Sequence, residues 1–373
     1  MKKIVYFSHG LGANGIETFL VNVLEKLDKT KYDATVVVAI DEGADSLHEQ
    51  RVLDMGVKVV RMGDLDSVKK KLEYMRNVKA FLRKEKFDAA HSNMDLLNGI
   101  TLFLAKQAKI RKRICHAHNS KSQYSPVGLL APLKKLVQKM YCTVMKKLIF
   151  SSSTDFVACS DVAGSYFFGS EKYELIYNGI RTENFSMPDG FDRDEYAEGL
   201  EFTGDEKVRL ISVGRISMQK NPEFALEIAK ELKAIRNDFL YIWVGDGDLA
   251  EMFEEKIKTL GLEENVAMVG IRTDVPQLLN CCDVFLMPSL FEGLPFSLVE
   301  AQAAGLKCVV SDVVTKTADI GLVNYFSLEK SAEDWAEEIN RMIEAPVPKK
   351  DEEKAKLFDI SNTVKQLEEI YGK

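Results

Sequence analysis

The sequence predicts an α/β protein of two parallel-sheet domains. Short apolar, β-branched runs alternate with amphipathic helical patterns along the whole chain, the signature of βα units. Three times, such a run passes through a glycine-bearing loop into a helix start, at residues 10–15, 214–222 and 288–297. A chain of 373 residues is long enough for two domains, each burying its own core.

Residues 3–8 read as the first strand. Gly10-Leu11-Gly12-Ala13-Asn14-Gly15 follows, then a helix over about 16–27. Taken literally this is G-x-G-x-x-G between strand and helix, a dinucleotide fingerprint. The next strand, 34–40, ends at Asp41-Glu42, near where an acid for a ribose is wanted. An NAD-dependent oxidoreductase using the 10–15 loop is therefore one reading. Residues 57–61 are a strand and 67–85 a charged helix. The strand 87–91 ends in His91-Ser92-Asn93, and 113–117 ends in His116-Ala117-His118-Asn119. The strand 156–159 runs into Ser160, and 173–177 leads to Asn178-Gly179-Ile180. Parallel sheets bind ligands at the carboxyl ends of strands, so His91, His116, His118, Asn119 and Ser160 are candidates. Of His116 and His118, one is expected to face the ligand and the other the far side of the sheet.

Residues 181–206 are acidic and aperiodic and read as a linker. The second domain, 207–350, opens with the strand 208–213 and Gly214-Arg215-Ile216-Ser217-Met218-Gln219-Lys220-Asn221-Pro222, with Pro222 near the first helical position. Arg215 offers a planar fork and Lys220 a point charge, and both suit a diphosphate. The strand 240–244 ends in Gly245-Asp246-Gly247, and 266–269 in Gly270-Ile271-Arg272. The strand 282–287 leads into PSLFEGLPFSLVEAQAAG, residues 288–305. Ser297 is read as the N-cap of a helix over 297–304, which Gly305 ends. The N–H groups around Phe296, Ser297 and Leu298 suit an anion. Glu292 and Glu300 flank that point. Carboxylates repel phosphate but accept hydrogen bonds from hydroxyls. The chemistry suggests phosphate at the centre and polyols at both ends, as in a nucleotide sugar. Residues 306–311 are a last strand, 330–343 a helix and 351–371 a final helix.

Apolar and charged fractions of 46% and 29% are those of a soluble globular protein. No apolar run is long enough to span a bilayer, and the N-terminus does not read as a secretory signal. The six cysteines lack C-x-x-C spacing and read as buried reduced thiols of a cytoplasmic protein; no Cys/His cluster suggests zinc. The net charge of −7 hides an asymmetry. Residues 96–154 contain no Asp or Glu, while Lys106, Lys112, Lys134, Lys135, Lys139, Lys146 and Lys147 all fall there. One basic patch on an acidic protein suggests a specific anionic surface and not nucleic acid. Residues 126–150 carry a wide apolar stripe among those lysines, which reads as peripheral contact with an anionic membrane through the 106–147 region, or as a domain helix with solvated lysines.

Pro288-Ser289, Glu292-Gly293 and Glu300, with the tail Ala301-x-Ala303-x-Gly305, resemble the donor-site signature of the retaining GT-B glycosyltransferases of family 4. Gly214-Arg215 and Lys220-Asn221 resemble the family's phosphate-holding motif. Gly12, Gly15 and Glu17 resemble its N-terminal loop. Asn14 stands where a glycine is common, and Asn tolerates positive φ better than most residues. The resemblance covers almost the whole chain, most specifically 208–311.

The resemblance implies two Rossmann-like domains facing across a cleft. Residues 1–180 would lie on the acceptor side, and 351–373 would cross back to them. It implies retaining glycosyl transfer without cofactor or bound metal. His118, Arg215, Lys220 and Glu292 form the implied catalytic set, the two cations stabilising the leaving diphosphate. Glu292 would hold sugar hydroxyls and Glu300 the ribose. Arg272 would border the base, and Gly15, Gly293, Phe296, Ser297 and Leu298 would complete the donor site. Gly12, Asn14, Gly15, His118 and Asn119 would lie on the acceptor side. The Leu294-Pro295-Phe296-Ser297 form resembles transferases of capsule and exopolysaccharide synthesis. That implies a UDP-hexose or UDP-N-acetylhexosamine donor, a saccharide or lipid-linked acceptor, and a cytoplasmic enzyme at the inner face of the membrane. An oxidoreductase leaves Arg215, Lys220, Glu292 and Glu300 without a role. A non-catalytic nucleotide-sugar-binding protein is expected to have lost one of Lys220, Glu292 or Glu300. A sugar-nucleotide epimerase of similar fold is a further alternative.

Overall fold

The computed structural model describes residues 1–12, 15–39, 47–65, 67–119, 131–198 and 208–372. The expectations at Asn14, at Asp41-Glu42 and over 126–130 lie outside the described residues. The chain divides into two compact units, Met1–Gly179 with Ile360–Lys373, and Ile180–Asp359.

The first unit runs β1 (Lys2–Ser8), α1 (Gly15–Lys26), β2 (Tyr32–Val38), α2 (Glu49–Asp54), β3 (Lys58–Arg61), α3 (Val68–Glu85) and β4 (Ala89–Ser92). It continues with α4 (Asn98–Gln107), β5 (Lys112–Ala117), α5 (Ala131–Ser152), β6 (Asp155–Ala158), α6 (Asp161–Phe168) and β7 (Glu174–Leu175). All pairings in this sheet are parallel, in the order β3-β2-β1-β4-β5-β6-β7. The order reverses between β1 and β4, the point at which such sheets bind ligands at the carboxyl ends of their strands. Ile4, Val5, Tyr6 and Phe7 on β1 are fully buried, because helices cover both faces of a parallel sheet. Local signals set the helix ends. The Ser67 hydroxyl accepts from Lys70 N–H to start α3, and left-handed Lys86 stops it.

The second unit holds α7 (Arg193–Glu198), β8 (Val208–Val213), α8 (Pro222–Ile235), β9 (Phe239–Val244), α9 (Ala250–Thr259), β10 (Val266–Met268), α10 (Val275–Cys281) and β11 (Val284–Met287). Then come α11 (Phe296–Ala303), β12 (Lys307–Ser311), β13 (Val323–Phe326), α12 (Ala332–Glu344) and α13 (Glu352–Leu357). Its sheet is parallel too, in the order β10-β9-β8-β11-β12-β13. Trp243, Trp335, Phe239, Tyr241 and Phe253 fill its core. Phe224 and Phe326 meet the Trp335 ring edge-on, and its indole N–H donates to the Ser327 carbonyl at 3.0 Å. The last helix, α14 (Ile360–Gly372), belongs to the first unit.

Three local expectations are corrected. The stretch 181–206 is more than a linker: it carries a 3₁₀ turn, Thr182–Phe185, and α7. Arg193 pairs with Asp283 at 2.9 Å, and Asn280 donates to the Phe185 carbonyl at 3.3 Å. These are tertiary contacts, which leave no periodicity in the sequence. The final helix is two helices. Ile180 N–H donates to the Phe358 carbonyl at 2.8 Å, and Ile180 pairs with Asp359 in a parallel bridge. A residue spent on that bridge cannot continue a helix. Finally, Pro295 and not Ser297 is the N-cap of α11. Proline at the boundary leaves no N–H to satisfy there, and the N-cap falls two residues earlier.

Candidate active site

In the second unit, two strand ends meet through glycine. Gly214 has φ +147° and Gly245 φ +137°. A Cβ on Gly245 would stand 2.3 Å from the Gly214 oxygen, and one on Gly247 2.3 Å from the Ile216 oxygen. Only glycine lets the loops after β8 and β9 lie backbone against backbone. Ile216 N–H then donates to the Asp246 carbonyl at 3.0 Å, and the indole N–H of Trp243 holds the Gly214 carbonyl at 3.0 Å. The core thus anchors the loop directly.

Beyond Gly214 the chain makes a 3₁₀ turn, Met218–Lys220, and left-handed Asn221 opens α8. Leu290 N–H donates to the Gln219 carbonyl at 2.8 Å, and the Asn221 amide donates to the Pro288 carbonyl at 3.2 Å. These bonds bring the loop after β11 alongside. The Lys220 ammonium therefore lies 2.7 Å from Glu292 Oε1, and the Gln219 amide donates to Glu292 Oε2 at 3.1 Å. The two side chains are only 16% and 6% exposed. A pair this enclosed is stable only while both charges are compensated. Arg215, on the same loop, points to solvent and meets Asp248 at 3.2 Å, a weak exposed pair.

At the start of α11, Leu298 N–H donates to the Pro295 carbonyl at 3.2 Å, and its side chain is fully buried. Leu298 thus brings neither a free N–H nor a side chain to the loop. The N–H groups of Phe296 and Ser297 make no hydrogen bond among the described residues. They are two of the unpaired donors of a helix N-terminus. Gly293 lies in the loop just before it. Glu300 is half-buried one turn on, its carboxylate without a hydrogen bond or ion pair among the described residues. Burial pushes its carboxyl up to about 7. Arg272 instead makes a bidentate pair with Asp274, at 2.8 and 2.6 Å, and the Tyr196 hydroxyl also donates to that carboxylate.

In the first unit, Gly12 is buried and Gly15 is the exposed first residue of α1. The Asn119 amide donates to Asp95 Oδ2 at 2.6 Å, and burial raises Asp95 to about 6. The Ser160 hydroxyl caps α6 by accepting from Ala163 N–H. The expectation that His116 and His118 face opposite ways is corrected: their rings stack with centroids 4.1 Å apart. Residues i and i+2 of a strand share a face. Both lie against Phe19 of α1. His118 is 5% exposed, and its Nε2 lies 2.9 Å from Asn93 Oδ1. Gln219, Asp248, Asp95 and Asn93 join these clusters unannounced by any motif. Gln219 had a signal in its place beside Lys220, and Asn93 in its place at a strand's carboxyl end. Among the described residues, no group of three His, Cys, Asp or Glu side chains is gathered as for a metal ion.

Residues 13–184 match the family described as Glycosyltransferase Family 4, and 192–357 match Glycosyl transferases group 1. The chain is 30% identical to EpsF of Bacillus subtilis (strain 168), provisionally named a glycosyltransferase, over 100% of this chain and 96% of EpsF. The chain belongs to the family 4 glycosyltransferases. This glycosyltransferase is also 27% identical to the capsular polysaccharide biosynthesis glycosyltransferase CapH of Staphylococcus aureus, over 78% of each chain. Its fold is GT-B. The structure of Anabaena HepE with UDP and glucose matches it with a TM-score of 0.80 at 18% identity, over 99% of both chains. WaaG, a glycosyltransferase of lipopolysaccharide biosynthesis, matches with 0.69 at 16%, again over 99% of both. The chain is thus a transferase, and the oxidoreductase reading is overturned.

Proposed function

We propose that this glycosyltransferase moves a hexose or N-acetylhexosamine from its UDP derivative to a saccharide or lipid-linked saccharide, in the assembly of a bacterial surface polysaccharide. The transfer retains anomeric configuration and needs no bound metal. The observation that carries this reading is the enclosed Lys220–Glu292 pair, held between two glycine loops beside the start of α11. A diphosphate entering there takes Lys220 from Glu292. The released carboxylate is then placed to accept from sugar hydroxyls. Lys220, Arg215 and the N–H groups of Phe296 and Ser297 stabilise negative charge on the leaving UDP. Glu300 accepts from the ribose. The acceptor oxygen bonds to the anomeric carbon as its bond to the β-phosphate oxygen breaks, and the acceptor's proton passes to that phosphate.

Relatives support the substrate class. The Escherichia coli UDP-Gal:alpha-D-GlcNAc-diphosphoundecaprenol alpha-1,3-galactosyltransferase is 26% identical over 66% of this chain and 63% of its own. A Campylobacter jejuni enzyme named for an N-acetylgalactosaminyl transfer to a diphospho-undecaprenol acceptor is 26% identical over 92% of this chain. Such acceptors are membrane-bound, which fits peripheral contact of α5 with an anionic lipid surface. No helix among the described residues is long and apolar enough to cross a membrane.

Thermal melting with UDP, GDP, ADP and NAD, each with and without EDTA, tests the donor site. UDP at about a hundredfold its Kd stabilises by about 2.7 kcal/mol, a shift of several degrees. The expected shift survives EDTA and disappears in Lys220→Ala. A shift that needs a metal ion would sink the metal-free reading, and one with GDP or ADP alone would sink the choice of UDP.

A further inference from the structure

The first unit buries a polar chain that the proposed chemistry does not use. The Tyr6 hydroxyl on β1 donates to the Tyr371 hydroxyl on α14 at 3.1 Å. That hydroxyl lies 2.6 Å from His91 Nδ1 on β4, and His91 Nε2 lies 3.1 Å from His116 Nδ1 on β5. His116 stacks on His118. All five residues are buried.

Burial pushes His91 and His118 down to about 3 and His116 well below its usual value, so each ring is neutral with one N–H. Geometry assigns those protons. Asn93 Oδ1 can only accept, so His118 carries its proton on Nε2. Tyr371 already accepts from Tyr6. Were it also to accept from His91, its own proton would be buried without a partner, at about 1–3 kcal/mol. Tyr371 therefore donates to His91 Nδ1, and His91 donates through Nε2–H to His116 Nδ1. His116 is left with Nε2–H. Among the described residues, neither His116 Nε2 nor His118 Nδ1 makes a hydrogen bond, and the Asn178 side chain lies near the His118 ring. The stacked pair ends as one donor and one acceptor.

We propose that Tyr371 is a positioning residue that acts through His91 and His116 to fix the proton positions and ring planes of the His116–His118 pair at the carboxyl end of β5. The inference rests on the reading of His118 as an acceptor-side residue. It makes the last turn of α14 a support of that site.

Imidazole ¹⁵N–¹H correlation spectra of the ¹⁵N-histidine-labelled full chain at pH 7 test the assignment. His91, His116 and His118 are expected as Nε2–H forms; His116 as the Nδ1–H form in the wild type would overturn it. Tyr371→Phe keeps the ring against Tyr6 and Tyr32 but removes the hydroxyl. His91 and His116 are then expected as mixed forms. Turnover of the UDP-sugar is expected to fall about three- to tenfold in kcat, with donor KM within about twofold. Tyr32→Phe, which removes a hydroxyl against the same helix but outside the chain, is expected to behave as wild type. An equal loss there would assign the effect to loosening of α14 and overturn the proposal. Wild-type turnover in Tyr371→Phe beside an impaired His118→Ala would overturn the positioning role alone. Wild-type turnover in His118→Ala would overturn the acceptor-side reading itself.

Discussion

Glu300 shows how one buried group gives a pH dependence. Its folded pKa of about 7 lies above the ordinary glutamate value of about 4.3. The folded protein therefore holds an extra proton between those values, and Glu300 lowers stability as pH rises through that window. Only the ionised carboxylate is a full acceptor for ribose hydroxyls. UDP affinity is expected to rise between pH 6 and 8 in the wild type. Titration calorimetry of Glu300→Gln should lose the part of that rise not due to the phosphate; an unchanged profile would remove Glu300 from the ribose site. Lys220 and Glu292 are coupled differently. With Glu292→Gln, Lys220 loses its competitor for phosphate, so UDP should bind tighter while sugar transfer falls. Removing one partner of an enclosed pair typically costs about 3–5 kcal/mol, so the free variant should also melt lower than wild type. Weaker UDP binding in Glu292→Gln would contradict the exchange of partners.

At the scale of elements, the loops after β8, β9 and β11 form one construction. Gly245 shows what holds it together. Alanine there meets both a positive φ and the Gly214 oxygen, whereas Gly261, at φ +63°, has open space around its missing Cβ. Gly261→Ala should cost about 1–2 kcal/mol through backbone strain alone. Gly245→Ala should cost more, and it should also weaken UDP binding because the Arg215 and Lys220 loop is displaced. Denaturant melts of both, with and without UDP, check this. Equal losses would mean that the backbone contact between the loops carries little energy. The cap of α12 is a simpler case. Ser331 and Asp334 form a reciprocal capping box, and Ser331→Ala should cost about 1 kcal/mol without touching UDP binding.

For the whole molecule, charge placement matters more than net charge. A chain of net charge −7 is repelled on average by an anionic membrane. The basic stretch proves narrower in space than in sequence. Lys112 pairs with Asp155, while Lys106 and Lys146 donate to backbone carbonyls. Lys134, Lys135, Lys139 and Lys147 remain exposed on α5, among exposed Leu133, Leu136, Val137, Met140 and Val144. Each such lysine contributes about 1 kcal/mol near an anionic surface. Binding to phosphatidylglycerol vesicles is expected, weakening with salt, and lost in Leu136→Asp/Met140→Asp. Co-sedimentation equal on phosphatidylcholine vesicles, or unchanged in that double variant, would count against contact through α5.

The sequence alone determined the alternation of strands and helices, the two parallel sheets and the motifs at their carboxyl ends. Those features rest on local periods and on glycine and proline chemistry, which short stretches carry within themselves. Arg215, Lys220, Glu292 and Glu300 could be picked out for the same reason: each lies in a loop or helix start whose backbone is locally encoded. Tertiary structure alone decided which groups meet. Lys220 and Glu292 are 72 residues apart, and only the hydrogen bonds that join the loop after β8 to the loop after β11 make them a pair. The shared face of His116 and His118 and the link from Tyr371 to His91, 280 residues away, likewise come from strand order and helix docking. Burial, which sets the pKa of Glu300 and of the histidines, is a property of the packed molecule and has no local code.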